Sequence, residues 1–98
     1  MNIQAMMKQA QKMQKDMMNE KNKIDETLYE GKSSIVTATV KGSKEIEKIK
    51  IDAENMDKDE IEMLEDMIVV AINDAFKKID KDVEEKMGKY TKGMPGLF

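Results

Sequence analysis

The feature that most constrains this chain is a long helical pattern whose middle has no polar side. Between residues 57 and 87, apolar residues recur at Ile61, Leu64, Ile68, Ala71, Ile72, Ala75, Ile79, Val83 and Met87. Steps of three and four keep one face of an α-helix apolar over that whole length. Met67, Ile68, Val69, Val70, Ala71 and Ile72 follow one another without a break. For about two turns the helix is apolar all round, and it needs cover on more than one side. One small sheet cannot surround it in a chain of 98 residues. The second cover is expected from another copy, which makes residues 67–72 the expected interface of a homodimer.

A chain of this size is one small domain that buries only roughly 60–65% of its unfolded surface, a shortage of core that association relieves. It has no cysteine, hence no disulfide framework and no thiolate metal site. Histidine, arginine and tryptophan are absent too, and all 17 basic residues are lysines. The N-terminus carries no basic–apolar–small signal pattern, and no apolar run approaches the roughly 18 residues of a membrane span. A cytoplasmic protein without membrane contact is expected. The formal net charge of -3 does not by itself announce a polyanion partner.

Residues 2–25 form the first expected helix, with Ile3, Met6, Ala10, Met13, Met17 and Ile24 at three-four spacing and no glycine or proline. Its apolar stripe is thin and methionine-rich, which suits a helix that projects from the body. A sheet is expected over 26–52. Thr27 to Glu30 makes a short first strand, residues 31–34 a turn, and the β-branched run Ile35 to Val40 the clearest strand. Residues 41–44 turn the chain into a return strand, Glu45 to Ile51. Pairing Val40 with Glu45 sets Val36 opposite Ile49. Val36, Ala38, Val40, Ile49 and Ile51 then share the core face, and Lys48 and Lys50 face water. The long helix is expected over 58–87, with Asp57 and Glu60 as a capping box and Gly88 as its stop. Residues 88–98 are an irregular tail. The fold class is α+β, in the order α-β-β-β-α, with a three-stranded antiparallel meander packed on long helices.

Catalytic chemistry has little to stand on. No nucleophile–base pair can be assembled without histidine or cysteine, and the serines fall in turns. Gly31, Gly42 and Gly88 form no phosphate-cradling cluster. Glu62, Glu65 and Asp66 gather carboxylates on one helix, but dipole complementarity and solvation explain them, and a hard-cation site needs more converging oxygens. Neither an enzyme, a cofactor nor a metal site is expected.

The informative surface is basic. Lys8, Lys12 and Lys15 lie on the face of the first helix opposite Ile3, Met6, Ala10 and Met13, and no acid precedes Asp16. Lys86, Lys89 and Lys92 follow the last acid, Glu85. Lysine clusters suit phosphates and give sequence-independent affinity, while the absence of arginine removes bidentate guanine contacts. Exposed lysine faces are more often simply solvated. The methionines of the first helix offer a different reading, an adaptable apolar face for a protein partner.

Four segments together resemble the YbaB/EbfC family of nucleoid-associated proteins, over nearly the whole chain. They are MMKQAQKMQKDM, VTATVKGSKEIEKIKID, EMLEDMIVVAINDAFKKI and KMGKYTKGMPGLF. The resemblance implies a tight homodimer with its helices between two sheets, and protruding helices that form a tweezers-like shape. It also implies double-stranded DNA binding and a role in nucleoid organisation or gene regulation. The expectation is therefore DNA contact through Lys8, Lys12 and Lys15, with Lys86, Lys89 and Lys92 secondary. A protein-interaction module built on the methionine face of the first helix is the alternative.

Overall fold

A computed structural model describes residues 2–91. The order is α1 (Ile3–Glu26), β1 (Leu28–Ser33), β2 (Val36–Lys41), β3 (Ile46–Ile51), a 3-10 turn (Lys58–Glu60) and α2 (Ile61–Thr91). This is the α-β-β-β-α order, and the strands form an antiparallel meander with β2 in the centre. The Asn2 side chain caps α1 by accepting from the Ala5 N–H at 3.2 Å. At the other end β-branched Thr27 turns extended, and its hydroxyl donates to the Lys23 carbonyl at 2.6 Å. The chain thus leaves the helix directly into β1.

One face of the sheet packs on α2. Val36, Ala38 and Val40 alternate inward and are fully buried against Ala71, Ala75 and Ile79. Two glycines set how closely the layers approach. A Cβ on Gly31 would lie 1.9 Å from the Ala71 carbonyl oxygen and 2.4 Å from the Ala75 nitrogen. One on Gly42 would lie 1.8 Å from the Ile24 carbonyl oxygen. The first contact seats α2 on β1, and the second seats the end of α1 on the β2–β3 turn.

Five local expectations are corrected here. Residues 31–33 belong to β1 and not to a turn, because α2 covers Gly31; the turn is the two-residue Ser34–Ile35 link, with φ 52 at Ser34. Consequently β2 starts at Val36. Val36 pairs with Ile51 and Ala38 with Ile49, while a bulge that inserts Glu47 brings Val40 opposite Ile46. The expected faces survive this two-residue shift, since side-chain direction has a period of two. Asp57 stands at the cap position without a side-chain cap bond, so the capping box does not form. Finally, α2 runs through Gly88 to Thr91, because the apolar contacts of Met87 and Tyr90 with α1 hold its last turns.

Candidate nucleic-acid interface

Among the described residues, helix α1 packs on the body through its C-terminal half. Ile24, Met87 and Tyr90 form a second small core, with Met17 and Val83 packed on it. Every residue from Asn2 to Asp16 is exposed. Tyr90 reaches the stretch of α1 that holds Met13 and Asp16. Beyond it α1 continues for 10 residues to Ile3, about 15 Å of helix whose side chains are all exposed among the described residues. The molecule is 72 Å long and 20 × 14 Å across. α1 is a rod rooted at one end.

Lys8, Lys12 and Lys15 all lie on the exposed N-terminal stretch of that rod, and Lys12 also lines the groove between α1 and Tyr90. The ion pairs among the described residues use Lys21, Lys44, Lys78 and Lys86, so none occupies these three side chains. Lys86 and Lys89 sit on the last turns of α2. The Lys86 ammonium is 3.0 Å from the Asp82 carboxylate, and that of Lys89 is 5.0 Å from the Tyr90 ring centre. Any further anion at Lys86 or Lys89 must compete with those partners, whereas no described ion pair holds Lys8, Lys12 or Lys15. Lys92 lies outside the described residues.

Side chains of α2 stitch its long axis to the outer edge of β1. Antiparallel pairing turns alternate backbone groups of an edge strand outward. Asp74 accepts the Lys32 N–H at 3.1 Å, and Lys78 donates to the Glu30 carbonyl at 2.7 Å. Farther along, the Tyr29 hydroxyl donates to Asp82. Burial, followed by the hydrogen bond to Asp82 and its charge, pushes Tyr29 up to about 12. The Lys32 N–H, aided by Lys78, holds Asp74 below the usual carboxylate range. The Tyr29 hydroxyl and Lys86 do the same for Asp82. Residue spacing alone gave no sign of this seam, since its partners are 42 to 53 positions apart.

The apolar stretch of α2 divides. Ala71 is fully buried against its own sheet, and Met67, Ile68 and Ile72 are partly covered by it. Val69 and Val70 point outward and are 57% and 53% exposed. They have company that periodicity did not reveal. α2 lies over β1 and β2, which leaves Ile46 and Ile51 on the inner face of β3 45% and 38% exposed. Ile61 and Met63 at the start of α2 are exposed as well. Among the described residues no three carboxylates converge as a metal site would require. No described helix is long and apolar enough to cross a membrane.

Comparison with known proteins matches the YbaB/EbfC DNA-binding family over residues 1–94. A nucleoid-associated protein of Ligilactobacillus salivarius is 42% identical, over 99% of this chain and 95% of its own length. One from Enterococcus faecalis is also 42% identical, over 98% of this chain and 94% of its own. Among solved structures, the uncharacterized protein HP0035 from Helicobacter pylori superposes with a TM-score of 0.71. It covers 92% of this chain and 97% of its own at 18% identity, a likeness of fold. On the family match and the identity of these relatives, this chain belongs to the YbaB/EbfC DNA-binding family.

Proposed function

We propose that this protein is a nucleoid-associated DNA-binding protein that holds double-stranded DNA by its phosphates, as a homodimer, with the free half of α1 as the contacting element. The observation that carries this reading is the set of three α1 lysines, exposed and in no ion pair among the described residues. Lysine without arginine suits phosphate contact that ignores base sequence. Lys86 and Lys89 add secondary charge at the base of the rod, and Lys92 follows them in sequence. The family and the names of the relatives support DNA as partner and the nucleoid as location.

What supports the homodimer is a set of large apolar side chains that one protomer leaves exposed. Val69, Val70, Ile61 and Met63 of α2, with Ile46 and Ile51 of β3, are 38–59% exposed, and exposed apolar groups of this kind mark interaction surfaces when they gather. A second copy laid on that surface would double the lysine rods. Met67, Ile68 and Ile72 border it, whereas Ala71 serves the protomer's own core.

Charge reversal tests the reading. The triple change Lys8→Glu, Lys12→Glu and Lys15→Glu should abolish binding to a short duplex and leave the circular dichroism spectrum unchanged. Full binding by that variant would refute the assignment. A second reading has its own observation: Met6, Ala10 and Met13, with Tyr90, line an open apolar groove along α1. Such a groove suits a partner helix. Lys12 lines that groove too, so binding there would survive the reversals of Lys8 and Lys15 alone and high salt.

A further inference from the structure

The face of the sheet turned away from α2 carries a charge pattern that the α1 reading does not use. Opposed residues of an antiparallel pair share a face. Val36, Ala38 and Val40 point at α2, so Thr37, Thr39 and Lys41 point away from it. The register extends each of these into a row across the strands: Lys32, Thr37 and Lys50; Glu30, Thr39 and Lys48; Leu28 and Lys41. Four lysines and two threonines thus cover three strands, with Glu30 in the middle row, Glu45 beside Lys41 and the exposed bulge residue Glu47 next to Lys48 as the neighbouring acids. None of the four lysines belongs to an ion pair among the described residues.

Protection of an edge strand accounts for part of this pattern and not for all of it. Lysines on β3 guard an open edge against pairing with another chain. Lys32, however, lies on β1, whose outer edge is already occupied by Asp74 and Lys78. Lys41 lies on the central strand, which has no edge. The spacing also fits an array of phosphates. Lys48 and Lys50 are about 6.7 Å apart along β3, and Lys32 and Lys50 flank Thr37 across about 10 Å. Threonine hydroxyls and lysine ammonium groups are both ordinary donors to phosphate oxygens.

This surface is separate from the lysine rod. α1 joins the sheet where Ile24 meets Gly42, and Lys15 and Lys8 lie about 13 and 24 Å farther out along the helix. The open apolar surface proposed for the dimer is on the inner side of the sheet, so association leaves the outer face accessible. We propose that the outer face of the sheet is a second phosphate-binding surface, through which the protein holds a second DNA duplex and bridges it to the first. The inference rests on the proposed function for the first duplex.

The test pairs two measurements on the whole protein. Fluorescence anisotropy with one short duplex reads binding. Capture of a free labelled duplex by beads carrying a second duplex reads bridging. The unaltered protein should do both. The variant Lys48→Glu with Lys50→Glu should bind the short duplex within twofold of normal and lose capture at least tenfold. The salt slope of any capture that remains should be shallower by about 2, one for each phosphate contact removed. Both positions are exposed, and an unchanged thermal midpoint will show that folding is not at issue. Short-duplex binding without capture by the unaltered protein would overturn the bridging inference and leave the α1 reading intact. Normal capture by the double variant would also overturn it, as would a parallel loss of both activities. Absence of short-duplex binding by the unaltered protein would overturn both proposals.

Discussion

Gly31 is the position at which the packing of this fold is most easily put to the test. Its φ lies outside the left-handed region, so alanine fits the backbone and only space decides the outcome. The added methyl would stand 1.9 Å from the Ala71 oxygen, 2.4 Å from the Ala75 nitrogen and 3.0 Å from the Ala75 Cα. All three are backbone atoms inside a 31-residue helix and cannot swing aside. Ordinary contact requires α2 to retreat by roughly 1.5 Å, and a gap of about 1 Å already forfeits up to half of the dispersion energy of the atoms that face it. That retreat would lift Ala71, Ala75 and Ile79 off Val36, Ala38 and Val40. Overpacking typically costs about 1–3 kcal/mol, and loss of the main core contact puts this case at about 3 kcal/mol or above. Relief of glycine's entropy returns only about 0.5–1 kcal/mol. Urea unfolding followed by circular dichroism, at matched protein concentration, should show a midpoint lower by about 1 M or more. Gly88→Ala is the internal contrast. Among the described residues a methyl at this helical site meets nothing within 4 Å, and it should stabilise by about 0.5–1 kcal/mol. A Gly31→Ala protein within about 0.5 kcal/mol of the parent would refute the close helix–sheet contact.

Three other outcomes follow from the same geometry. Val69→Asp or Val70→Asp should shift the protein from dimer to monomer or aggregate in analytical ultracentrifugation, because a carboxylate would enter the apolar surface; an undisturbed dimer would move the interface elsewhere. Asp74 and Asp82 are more acidic folded than unfolded, so their contribution to stability is present above about pH 4 and lost as pH falls below it. Asp82→Asn should flatten part of that acid limb in pH-dependent melting. Tyr29 carries the opposite sign: its raised pKa gives stability that is full below about pH 10 and lost as pH climbs toward 12. Tyr29→Phe should remove that alkaline loss while costing about 1 kcal/mol near neutrality.

The helices and strands were legible where a single period dominated. Ile61 to Met87 at three-four spacing gave α2, and the β-branched run ending at Val40 gave β2. What stayed hidden depended on contacts far apart in sequence. Gly31 beside Lys32, Ser33 and Ser34 has the composition of a turn, and only the approach of Ala71 and Ala75 makes it a strand residue. Gly88 has the look of a helix stop, but Met87 and Tyr90 are anchored on Ile24 and carry the helix past it. The bulge at Glu47 left no mark in an alternating lysine–isoleucine run. Of the candidate surfaces, the lysine face of α1 was plain from spacing because it needs one helix only. The open isoleucines of β3 emerged only once the position of α2 over β1 and β2 was known.

The most direct measurement is fluorescence anisotropy of a labelled duplex titrated with the protein over a series of salt concentrations. If the α1 lysines of two protomers each meet a phosphate, the logarithm of the binding constant should fall against that of salt with a slope of about −5. The slope should be the same for unrelated duplex sequences and should collapse when Lys8, Lys12 and Lys15 are reversed to glutamate. Binding that ignores salt, or that keeps its slope without those lysines, would contradict the account.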